Sequence, residues 1–143
     1  MSKSFVVIMK IRVVSSKNEI RDLNPNERII HMAYRPSNVD LLELIKKCPR
    51  LRAIQMPHSY ARTMADAMHG FLNMQGIDLL EGDVWGHRKD LDEYVVIEDD
   101  TLKEIKNLIN QGVASDDIQS KVKAAAKLNP DLIKYIVKIE SAA

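Results

Sequence analysis

"CPRLRAIQMPHSYARTMADAMHG" (residues 48–70) decides how this chain is read, because a helix end, a strand, a turn and a helix start follow one another within it. Pro49 cannot continue a helix, so it closes the one before it. "LRAIQM" (51–56) has the short, apolar character of a buried strand. Pro57 biases Met56 towards extended geometry, so the strand runs to its end. Ser59 is a natural N-cap for the next helix, on which Ala61, Met64, Ala65, Met68, Phe71 and Leu72 form one apolar stripe.

The same unit recurs on either side. "FVVIMKIRVV" (5–14) reads as a buried parallel strand, and Ser15 and Ser16 can cap a short helix that "NPN" stops. "RIIHMAY" (28–34) is a second strand, and Leu41, Leu44, Ile45 and Cys48 recur at helical spacing after it. Gly76 ends the third helix, "IDLL" (77–80) is a fourth strand, and "YVVIED" reads as a fifth. Strands spaced roughly 23 to 25 residues apart, with helices between them, favour parallel pairing through right-handed crossovers. The expectation is an α/β fold of four or five mainly parallel strands. A short solenoid resembling leucine-rich repeats is the alternative, since "LLELIKKCPRLRAIQMP" looks like part of one. From residue 99 the period becomes helical: Leu102, Ile105, Leu108 and Ile109 share a face, and Ser115 and Asn129 are the expected caps of two more helices. The chain reads as one domain over 1–143, an α/β part (1–98) followed by a helical segment (99–143).

Bulk properties narrow the function classes. With 143 residues, 45% hydrophobic and 29% charged, the chain is an ordinary globule that buries its core with aliphatic and Met side chains. Its one cysteine, Cys48, excludes an intramolecular disulfide and falls on an apolar helix stripe. No apolar run reaches the roughly 18 residues of a membrane span, and the basic-then-apolar start lacks a small-residue cleavage site. A cytoplasmic location is expected. Residues 1–57 carry 11 Lys/Arg against 5 Asp/Glu, whereas 58–100 carry 3 against 10. Such asymmetry suits a binding field or homo-oligomers joined through surfaces of opposite charge, or it reflects neighbours in the fold.

Ligands of open parallel sheets bind beyond the carboxyl ends of the strands. There the sequence offers Arg35, Ser37 and Asn38 after strand two, and His58, Ser59 and Tyr60 after strand three. Glu81, Asp83, Trp85 and His87 follow strand four. Amides at the helix starts, with Arg35, suit a small anionic ligand. His58 with Asp83 and His87 could instead orient for general acid–base work in a small hydrolase or transferase. Equally, the serines serve only as caps and the "EGDVWGHR" loop is solvated. No P-loop or Gly-rich dinucleotide fingerprint is present, so no cofactor is indicated, and no ligand pair has the spacing of a zinc or iron site. His69 falls on the polar side of its helix and is expected to be solvated, while His31, inside a strand, reads as structural. "SDDIQSKVKAAAKLNPDLIKYIVKIE" (115–140) resembles a helix-turn-helix displaying Asp131, Lys134, Tyr135 and Lys138. That face is thin for nucleic acid, and the preferred reading is an amphipathic pair packing through Ile118, Val122, Leu132, Ile136 and Val137.

"MPHSYARTMADAMHGFLNMQGIDLLEGDVWGHRKDL" (56–91), together with the chain length, resembles a small family of uncharacterised archaeal proteins found mainly in methanogens. The resemblance implies an archaeal cytoplasm and brings no activity, cofactor or catalytic residue with it. A binding or regulatory protein is the leading expectation; the alternatives are the small hydrolase or transferase and a nucleic-acid-binding protein that uses the basic N-terminal third or the helix-turn-helix-like C-terminus.

Overall fold

β-branched and aliphatic runs separated by Pro and Gly build the strands in the computed structural model of the chain, which describes residues 9–82, 94–97, 99–122 and 130–141. The elements are β1 (Met9–Val14), a 3₁₀ helix (Lys17–Asp22), β2 (Ile29–Met32), α1 (Asn38–Lys47) and β3 (Ala53–Met56). Then come α2 (His58–Thr63), α3 (Asp66–Met74), β4 (Asp78–Glu81), β5 (Tyr94–Ile97), α4 (Asp99–Asn110), α5 (Ser115–Lys121) and α6 (Pro130–Ser141). The sheet order is β4-β3-β2-β1-β5. β1 to β4 pair in parallel, with Ile30 opposite Ile54 and Ile54 opposite Leu79. β5 closes the other side antiparallel to β1, with Ile11 opposite Val95.

Strand alternation sorts the core into two layers. Val14, Ile30, Met32, Ile54 and Met56 point to one face, where they meet Ile20, Leu41, Leu44, Cys48, Met68 and Leu72 from the 3₁₀ helix and α1–α3. This is what successive crossovers of one hand produce when each strand is laid beside the last. Ile11, Val13, Ile29, Ala53, Leu80, Val95 and Ile97 point to the other face. There they pack on Leu102, Ile105, Ile118, Val122, Leu132, Ile133, Tyr135 and Ile136 from α4–α6. Helices on both faces exclude the curved solenoid. His31 and Gln55 sit fully buried in the second layer, with His31 Nδ1 donating to Gln55 Oε1 at 2.9 Å.

Several local expectations are corrected. The third helix is two helices: Met64 and Ala65 are extended (ψ 140° at each), so α2 stops and α3 starts afresh. Ser59 therefore lies inside α2, whose N-cap is Pro57, and makes no side-chain cap. Ala114, not Ser115, is the N-cap of α5. His69 is half-buried and donates from Nε2 to the Ala61 carbonyl at 3.0 Å, tying α3 to α2. Met64, Phe71 and Ile45 are only partly buried beside the fully buried Leu72 and Cys48. Asn129 lies outside the described residues.

Candidate functional site

Local chemistry at the end of β2 sets up the site. Ser37 accepts from the Asp40 N–H at 3.1 Å while the Asp40 carboxylate accepts from the Ser37 N–H at 3.1 Å, a complete capping box. Asp40 is spent on this box. It also pushes the titration of Tyr34 upwards, adding to the effect of burial, which is the larger cause. The box satisfies the third amide of the helix, so the first-turn amides of Asn38 and Val39 are the donors that a helix start leaves for an incoming group.

Arg35 stands on the loop just before this helix start and reaches across to the end of α2. Its guanidinium donates to the Ser59 carbonyl at 3.3 Å and to the Thr63 hydroxyl, and lies 4.8 Å from the centroid of the Tyr60 ring. Thr63 Oγ1 in turn bonds the Ser59 and Tyr60 carbonyls at 3.1 and 3.3 Å. Arg35 and Thr63 thus converge on the Ser59 and Tyr60 carbonyls of α2, whose last residue is Thr63. The residues Arg35, Pro36, Ser37, Asn38, Tyr60 and Thr63 line a cavity of about 260 Å³, completed by Met64 and Ala65. Among the described residues, the partners of the Arg35 guanidinium in the cavity wall are all neutral groups.

His58 is separate from this cavity. Its Nδ1 donates to the Glu81 carboxylate across the ends of β3 and β4, with the two side chains 71% and 42% exposed. The pair stands at the surface, open to solvent on both sides. Asp83, Trp85 and His87 lie outside the described residues. The expected site residues therefore fall into two groups: Arg35, Ser37 and Tyr60 share one cavity with the Ser59 carbonyl beside them, and His58 meets Glu81. Among the described residues, no group of three or more His, Cys, Asp or Glu side chains could hold a metal ion.

Two side chains that sequence reasoning did not place at this edge are built into it. Thr63 becomes part of the cavity through the break after α2. Asp131 arrives from α6, accepting from the Glu81 N–H at 2.9 Å and so capping the open side of β4.

Comparison with known proteins identifies the family. Residues 10–93 match the model described as "Family of unknown function (DUF1699) N-terminal domain", and residues 100–138 match the DUF1699 "C-terminal HTH domain". The chain belongs to this family. No curated protein and no solved structure matches it. The helix-turn-helix assignment falls on the helices whose packing reading also holds: Ile118, Val122, Leu132 and Ile136 are buried and Val137 partly so. No helix among the described residues is long and apolar enough to cross a membrane.

Proposed function

We propose that this chain is a non-catalytic regulatory protein of the cytoplasm, which takes a small anionic ligand at the Arg35 cavity and contacts nucleic acid with its C-terminal helices. The observation that carries the reading is Arg35 itself. Its guanidinium is held by a carbonyl, a hydroxyl and an aromatic ring, all neutral, and it faces a cavity beside a helix start. A planar fork of donors held in place by neutral groups is suited to a phosphate or carboxylate. The helix-turn-helix family model supports the second half of the reading. The rival, a hydrolase or transferase using His58, Asp83 and His87, has only the exposed His58–Glu81 contact among the described residues to draw on.

Thermal melts of the full chain with phosphate, pyrophosphate and adenosine monophosphate test the ligand. An anion at about 100 times its Kd stabilises by about 2.7 kcal/mol, which raises Tm by several degrees. Arg35→Gln should abolish that ligand-induced rise, whatever it does to the unliganded Tm, and His58→Ala should keep it. An unchanged rise in Arg35→Gln would remove the proposed site.

A further inference from the structure

Both parts of the chain bring cations to the amino edge of the sheet. Arg28 and Arg52 directly precede β2 and β3, and backbone bonds set them side by side. The Arg52 N–H donates to the Arg28 carbonyl at 2.8 Å, and the Asp78 N–H donates to the Arg52 carbonyl at 2.9 Å. α6 runs along the outer edge of β4 in the opposite direction, with Asp131 at the Glu81 end and Lys138 at the Asp78 end. Its last turn therefore reaches the same amino edge, where Lys138 Nζ is 2.8 Å from Asp78 Oδ2. Lys134, one turn earlier, lines with Lys138 an open groove of about 300 Å³ over β4. Tyr135 lies buried beside them; burial, and after it the Asp78 carboxylate, push its titration upwards, with Arg52 and Arg28 acting against them. Arg28, Arg52, Lys134 and Lys138 are all exposed. The two acids of the groove are engaged already, Asp131 with the Glu81 N–H and Asp78 with Lys138.

We infer that this amino-edge surface, Arg28 and Arg52 from the sheet with Lys134 and Lys138 from α6, holds the phosphate backbone of double-stranded DNA. The inference rests on the nucleic-acid half of the proposed function and names the surface that performs it. In a helix-turn-helix the second helix is the element that enters the groove and reads bases. Here Leu132, Ile133, Tyr135 and Ile136 of α6 are buried, and the exposed stripe carries Pro130, Lys134 and Lys138. That stripe has no Arg, Asn or Gln, the side chains that pair with base edges. Two lysines are phosphate contacts, which position a protein without reading sequence. The neighbouring arginines double that set and extend it across two strands.

The test is fluorescence anisotropy of the full chain with a labelled mixed-sequence duplex of ~20 base pairs, from 50 to 200 mM salt. Four phosphate contacts give a slope of log K against log salt of about −3 to −4. Arg28→Ala with Arg52→Ala should flatten the slope by about two and weaken binding about tenfold or more at 50 mM salt. Lys103→Ala, on α4 and paired with Asp99, should change neither. Asp78→Asn should tighten binding, an effect that damage to the fold does not produce. Duplex binding that keeps its slope in the arginine variant and its strength in Asp78→Asn would overturn the amino-edge surface and leave the nucleic-acid reading standing. No binding by the unaltered chain at 50 mM salt would overturn both. Tighter binding to a single-stranded RNA of the same length would overturn the duplex assignment.

Discussion

Ser37 and Ser59 stand in the same sequence context, just past a strand and a proline, yet only one of them caps a helix. Ser37 has extended backbone (φ −80°, ψ 169°) and completes a capping box with Asp40. At Ser59 the chain has already turned helical, because Pro57 takes the cap position. Ser37→Ala should therefore lower stability by about 1 kcal/mol in a urea melt. Ser59→Ala should change it by less than about 0.5 kcal/mol, since only the Ser59 carbonyl is used. The motif was legible in both places; which serine turns the chain depends on a difference of two residues in where the helix begins. Cys48 illustrates the opposite case, where a residue type on an apolar stripe suffices. It is fully buried, and burial pushes its thiol from 9.0 up to about 11. The folded chain should resist a thiol reagent at pH 8 and react fully once unfolded in urea. Because the folded value is raised, the stabilising contribution is complete below about pH 9 and is lost as pH climbs through about 11. The urea midpoint should fall across that window.

Elements were legible where the signal is local. Pro49, Pro57 and Gly76 punctuate helix-linked strands, and β2, β3 and β4 are parallel neighbours as that spacing requires. The break between α2 and α3 was not legible: Met64 and Ala65 lie on an unbroken apolar stripe, and the Arg35 contact at Thr63 comes from 28 residues earlier in the chain. The direction of β5 was equally hidden: its partner is β1, at the far end of the sequence, and nothing in "YVVI" records a neighbour. The break also divides the apolar stripe, which was read as one helix. Leu72 is 1% exposed while Phe71 packs from the side and is only partly buried. Leu72→Ala should cost about 2–5 kcal/mol, as for a buried leucine. Phe71→Ala should cost less than that, despite removing the larger ring. Urea melts of the two variants check the order, and a larger loss in Phe71→Ala would mean that α3 is rotated from its position here.

At the scale of the whole molecule, the two family models divide the chain near residue 100, but the packing does not divide there. One face of the sheet is covered by α1–α3 and the other by α4–α6, and the second layer mixes side chains from both parts in a single cluster. Without residues 99–143, Ile11, Val13, Ile29, Leu80, Val95 and Ile97 would face water. At about 1.5–3 kcal/mol for each large aliphatic side chain, that loss is on the order of 10 kcal/mol, comparable with the whole stability of a typical domain. Rehydrating His31 and Gln55 offsets only part of it, since Gln55 Nε2, without a hydrogen-bond partner among the described residues, costs about 1–3 kcal/mol where it is buried. The outer edge of β4 would also lose Asp131 and the helix that lies along it, leaving a template for pairing with other chains. A chain ending at residue 98 should therefore show no cooperative urea transition, expose apolar surface to a hydrophobic dye, and aggregate at concentrations where the full chain stays dispersed. A sharp transition with native-like near-ultraviolet dichroism from that fragment would show that the α/β part folds alone, and that the shared layer is an interface between two domains.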